Sequence, residues 1–165
     1  MPGTNIKQVE AAERSTIVKA QSYRIDLDLT TGAENFRVKT TIKFAGLQPG
    51  ATTFLDCVGS KVISAKLNGV EFDPKFDGET IYLPPLAAEN TLEIEHDGIY
   101  SNSGEGLHRF VDPADNEVYL YSQGETAFIR NMYPCFDQPD LKATFSISAT
   151  APGHWQVISN NPVKN

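Results

Sequence analysis

Two stretches near the start of the chain place an apolar residue at every second position. In the first, Tyr23, Ile25, Leu27 and Leu29 alternate with Arg24, Asp26 and Asp28; in the second, Phe36, Val38, Thr40, Ile42 and Phe44 alternate with Arg37, Lys39, Thr41 and Lys43. A period of two puts every apolar side chain of an extended segment on one face, whereas a helix would scatter them around its axis. Thr31-Gly32 and Glu34-Asn35 supply turn chemistry between the two runs, so they read as a long antiparallel hairpin with one buried face.

The same reading continues along the chain. Val62 to Leu67 and Val70 to Phe72 flank Asn68-Gly69, the pair best suited to a tight hairpin because both central positions tolerate positive φ. Thr80 to Leu83 and Leu92 to His96 are further strands, with Pro84-Pro85 closing the first and Asp97-Gly98 the second. Tyr119 to Tyr121, Phe145 to Ala149 and Trp155 to Ile158 are the later candidates, and only Ala11 to Lys19 and Glu125 to Met132 could be helical. The fold class that follows is all-β: twisted, mostly antiparallel sheets with little helix. With 165 residues and 40% hydrophobic content the chain is long enough for one domain with a real core. Residues 1–12 are polar and lack aromatics, which predicts a flexible N-terminal arm before a single β domain over residues 13–165.

Several chemistries are excluded by what the chain carries. A formal net charge of -7, with basic residues scattered singly, argues against a nucleic-acid surface. The opening residues contain no apolar run that could act as a signal-peptide core or membrane span, so a cytoplasmic chain with no membrane partner is expected. Cys57 and Cys135 are too few for a disulfide scaffold and read as structural or free thiols in a reducing compartment, with a single bridge between them as the alternative. The histidines, His96, His108 and His154, form no close ligand pair, so no metal site is expected. His96 shares a strand face with Leu92 and Ile94 and reads as a satisfied structural histidine; His108 and Arg109, after the flexible 101–106 stretch, read as docking or structural residues. Asp112, Asp115 and Glu117 read as a solvated loop, and no serine or cysteine sits in a nucleophile setting. No catalytic residue is expected in this chain.

The positive signal lies between Tyr121 and Phe145. Gln123 and Glu125 form a Q-x-E pair, followed by Arg130 and by Pro134, Cys135, Asp137, Pro139, Lys142, Ala143 and Phe145 in a P-C-x-D-x-P-x-x-K-A-x-F run; Gly106-Leu107-His108-Arg109-Phe110 stands upstream and Ser159-Asn160-Asn161-Pro162-Val163 downstream. Three separated stretches in this order resemble the N-terminal domain of the M1 zinc aminopeptidases, of the aminopeptidase N type, over essentially the whole ordered chain. Gly124, Thr126, Ile129 and Asn131 depart from the residues usual there, which bears on the shape of the loop and hence on substrate preference.

That resemblance carries its own implications. The zinc of the parent enzyme, its H-E-x-x-H ligands and its catalytic general base would belong to a downstream catalytic domain of the same polypeptide, and the 165-residue chain alone would be inactive. This domain would supply the Q-x-E loop, with Glu125 binding the α-amino group of the peptide substrate and Gln123 lining the same pocket. Arg130, Pro134, Asp137 and Pro139 would brace that loop. The resemblance further implies a cis peptide bond from Glu125 to Thr126, and a domain that continues past the S-N-x-P-V stretch, leaving a sheet edge open for pairing with another copy. Two competing readings are a non-catalytic β-sandwich domain binding protein or peptide partners by its edge or cleft, and a carbohydrate-binding sandwich. The first has no need of the spaced motif, and the second would expose aromatic platforms, whereas Trp155 is the only tryptophan.

Overall fold

The computed structural model describes residues 5–163. Its first element is a helix, α1 (Gln8–Ile17), and ten strands follow: β1 (Val18–Asp28), β2 (Asn35–Gly46), β3 (Thr53–Asp56), β4 (Lys61–Leu67), β5 (Val70–Glu71), β6 (Thr80–Leu83), β7 (Glu89–Ile99), β8 (Gly106–Val111), β9 (Val118–Gln123) and β10 (Thr144–Thr150), with a single 3-10 turn at Ile129–Asn131. A six-stranded sheet runs in the order β10, β1, β2, β7, β4, β5, and two ribbons, β3 with β6 and β8 with β9, complete the domain. All pairings are antiparallel except β1 with β10.

The hairpin of β1 and β2 is the one the alternation predicts. Phe36, Val38, Thr40, Ile42 and Phe44 are buried along β2. On β1 the buried set is Val18 and Ala20 and then Tyr23, Ile25 and Leu27; the change of phase falls where the pairing slips between Ala20 and Ser22. One extra residue at that bulge flips the faces of the strand, and so lets residues from both halves of β1 reach the same core. Asn68 and Gly69 take φ of 54° and 79°, as the tight turn between β4 and β5 requires.

Three expectations from sequence are corrected. Helix α1 begins at Gln8 rather than at Ala11, because Glu10 accepts a hydrogen bond from the Lys7 amide at 2.8 Å and secures the first turn; Met1 to Thr4 of the expected arm lie outside the described residues. Strand β7 does not stop at Asp97-Gly98 but runs to Ile99. Gly98 is there for its missing side chain: it pairs with Phe36, and a Cβ would lie 2.4 Å from Cζ of that ring. Trp155 to Ile158 forms no strand, since it follows a turn closed by the Trp155 amide on the Pro152 carbonyl and no strand among the described residues pairs with it.

Ile25, Phe36, Ile42, Phe44, Leu55, Ile81 and Leu92 are fully enclosed in one core that draws on the main sheet, on the β3–β6 ribbon and on the 132–136 loop. Both cysteines are buried there as free thiols, and burial raises the pKa of each.

His96 is a core residue as expected, but it is not a satisfied one. It stands on β7 between Val38 of β2 and Val62 of β4, with no exposed surface, and neither ring nitrogen has a hydrogen-bond partner among the described residues. Burial lowers its pKa from 6.5 to about 4, against the pull of Asp97 and with the help of Arg37. Because the folded value lies below the unfolded one, protons favour the unfolded chain: the His96 contribution to stability is complete above about pH 6.5 and is lost as the pH falls toward 4. His96→Leu is therefore expected to remove on the order of 3 kcal/mol of the acid-dependent loss of stability, seen as a smaller difference between urea unfolding curves at neutral and at acid pH. Equal acid dependence in the two proteins would show that the buried imidazole is not the group responsible.

Candidate functional site

Strand β9 ends at Gln123, whose partner across the β8–β9 ribbon is Gly106. The chain then turns: the Phe128 amide donates to the Gly124 carbonyl at 3.0 Å, and the Met132 and Tyr133 amides both donate to the Ile129 carbonyl. Within the stretch from Glu125 to Met132, residues 125–128 form a turn and only Ile129–Asn131 is helical, as one 3-10 turn, in place of the helix that sequence allowed. The Arg130 amide, which a helix would direct at a backbone carbonyl, instead donates to Oδ2 of Asp137 at 3.4 Å.

Gln123 and Glu125 are both exposed, and among the described residues the Glu125 carboxylate has no hydrogen bond or ion pair. The Glu125–Thr126 peptide bond is cis. Immediately beneath, packing is tight. A Cβ on Gly124 would come within 2.9 Å of Cδ1 of Ile129, and one on Gly106 within 2.6 Å of Cβ of Asn131. Two of the departures noted in the sequence, Gly124 and Ile129, are therefore a matched pair: the side chain absent from one leaves room for the larger side chain of the other.

Three of the four residues expected to brace the loop are at least half-buried. Pro134 is buried and Asp137 half-buried, Arg130 is buried with its carbonyl accepting from the Val58 amide at 2.9 Å, and Pro139 is exposed. Cys135 exchanges both backbone hydrogen bonds with Asp56, at 2.9 and 3.0 Å, so the loop is stitched to the end of β3. The Phe136 amide donates to the Tyr23 hydroxyl at 3.2 Å, and the Phe136 ring packs edge-on against Phe44. Burial raises the pKa of Asp137; the amide of Arg130 opposes that rise and the charge of Asp56 adds to it.

What sequence reasoning missed is the centre of this brace. Arg14, 1% exposed on α1, donates from Nη1 to Oδ2 of Asp56 at 2.7 Å and from Nε to Oε1 of Gln138 at 3.0 Å. Its guanidinium lies 4.7 Å from the Phe54 ring centroid and 5.8 Å from that of Phe136. The same Asp56 oxygen accepts the Asp137 amide at 2.9 Å, and Nε2 of Gln138 donates back to the Ala11 carbonyl at 2.9 Å. Partners 42 and 124 residues apart carry no local signature that a single sequence could reveal.

Elsewhere the singled-out residues are structural. His108, read as a docking or structural residue, accepts at Nδ1 from the Gly104 amide at 3.0 Å and packs on Tyr121. Asp112 and Asp115 cap turns through the amides of Ala114 and Glu117, as a solvated loop would. Among the described residues no group of three or more His, Cys, Asp or Glu could hold a metal ion, and no helix is long and apolar enough to cross a membrane.

With this geometry in view, the comparisons with known proteins agree with one another. Residues 19–165 match the Peptidase M1 N-terminal domain. The chain is 45% identical, over 98% of its length, to aminopeptidase N of Streptomyces lividans, and 28% identical, over 89%, to a leucyl aminopeptidase of Saccharolobus solfataricus; it spans about a fifth of each of these curated relatives (20% and 18%). Among solved structures, an M1 zinc metallopeptidase mutant from Deinococcus radiodurans, bound to a Tyr-Ser-Ala substrate, superposes with a TM-score of 0.59 at 22% identity, covering 81% of this chain and 32% of that one. An all-β scaffold with a Q-x-E loop stitched to its core, matched over nearly its whole length by this domain, belongs to the M1 peptidase N-terminal domain family.

Proposed function

We propose that this chain is the substrate-facing N-terminal domain of a zinc aminopeptidase, in which Glu125, with Gln123 beside it, binds the free α-amino group of a peptide. The observation that supports this reading most is the contrast at the end of β9: an exposed carboxylate, without a hydrogen bond or ion pair among the described residues, on a loop followed by a turn that Asp137 and Val58 hold through the backbone of Arg130.

An enzyme that removes one residue at a time must measure from the chain end, and the ammonium group is the only mark every peptide shares there. A carboxylate held in place pairs with it through charge-assisted hydrogen bonds and sets the register of the first peptide bond. The described residues do not fit a zinc site; the zinc of such an enzyme would be held by another part of the longer polypeptide. The longer polypeptide is expected to hydrolyse an amino-acid anilide and to leave its N-acetylated form intact, while the 165-residue chain alone releases nothing. Equal cleavage of both anilides would contradict the reading.

A second consequence concerns β10. All of its residues are exposed, it pairs with β1 on one side only, and Phe145 and Ile147 are 53% and 54% exposed. Such an edge is a template for strand pairing. In isolation the chain is expected to self-associate through it, with Ile147→Lys shifting the population toward monomer; a wild-type chain that sediments as a monomer at high concentration would remove the proposal.

A further inference from the structure

The residue that joins most parts of the brace lies far from the motif it serves. We propose that Arg14 is a positioning residue for the Glu125 carboxylate, acting through Asp56 and the 135–138 loop; this rests on the reading of Glu125 as the amine-binding group.

The path is continuous. Arg14 holds Asp56 by one arm of its guanidinium and Gln138 by another, so it fixes the spacing between the end of β3 and the 135–138 loop. A planar fork with donors in fixed directions does this better than a point charge could. Asp56 in turn binds the loop at the Asp137 amide and at both backbone groups of Cys135. From there two contacts reach the 3-10 turn: the Asp137 carboxylate accepts from the Arg130 amide, and the amide of Val58, two residues beyond Asp56, donates to the Arg130 carbonyl. The turn then sets the loop, because Ile129 rests on Gly124 and the Phe128 amide is bonded to the Gly124 carbonyl, one residue before Glu125.

A buried ion pair is weak support for stability by itself, since apolar residues of similar volume are often as good. What such residues could not reproduce is the directed pair of contacts to β3 and to the loop. Small misplacement of a substrate-orienting group costs rate steeply, by about a hundredfold for an ångström. Arg14 should therefore act on substrate binding in the intact enzyme as well as on folding.

A double-mutant cycle in the longer polypeptide tests this, with leucine para-nitroanilide as substrate. Arg14→Met is expected to lower kcat/KM about tenfold, mostly through KM, and to lower it no further when Glu125 is already alanine. Gln138→Met, which leaves the Arg14–Asp56 pair in place, should act in the same direction by about threefold, and it serves in the cycle if the arginine variant does not fold. Equal losses in the presence and absence of Glu125, or no loss from a folded variant, would overturn the relay while leaving amine binding by Glu125 intact. A Glu125→Ala enzyme with unchanged kcat/KM would overturn both.

Discussion

Asp56→Ala is expected to lower the unfolding free energy of this domain by about 3–5 kcal/mol, the cost of leaving a buried charge without its partner. Arg14 is 1% exposed, and its Nη1 would lose a 2.7 Å contact that is its one hydrogen bond among the described residues. The loss does not end there, because the same carboxylate oxygen holds the Asp137 amide at 2.9 Å. Truncation thus strips one charged donor and one half-buried amide together. The double replacement Arg14→Met with Asp56→Leu should cost far less, since it removes the charge as well as its partner. Urea unfolding of the 165-residue chain measures all three proteins; a loss below about 1 kcal/mol for Asp56→Ala would place the pair among those that contribute nothing measurable.

The second large effect is on turnover. Glu125→Ala in the longer polypeptide is expected to reduce kcat/KM by roughly a hundredfold, which corresponds to about 3 kcal/mol for one charge-assisted contact with an ammonium group. Because Glu125 is exposed and makes no hydrogen bond or ion pair among the described residues, the variant should unfold at the same temperature as the parent. A lowered unfolding temperature together with lowered turnover would mean that the side chain supports the loop instead of the substrate.

The parts of the fold that were legible in the sequence are those where one physical rule acts alone. Alternation along β2 survives intact because a strand with one buried face has nothing else to satisfy, and Asn68-Gly69 forms its turn because few other pairs accept two positive φ values. Errors arose where a distant neighbour decides. Gly98 looks like a strand end until Phe36 is seen to fill the space above it, and the stretch after Glu125 looks helical until Asp137 takes the Arg130 amide. Gln21 gives no sign of the bulge that turns β1 over. At the candidate site, Gln123 and Glu125 could be singled out because the motif they belong to resembles that of a known family, and Arg14, Asp56 and Gln138 could not, because their partners are joined only by the folded chain.

One comparison isolates the interaction on which the functional account depends: the inhibition constants of leucine hydroxamate and of the same hydroxamate without its amino group, measured in the wild-type enzyme and in Glu125→Ala. The two compounds can ligate a metal alike, so their ratio reports the amine alone. The wild type should prefer the amino compound by roughly a hundredfold, and Glu125→Ala should bind the two almost equally. An undiminished preference in the variant would mean that the amine is held elsewhere, and that the scaffold around Glu125 serves another purpose.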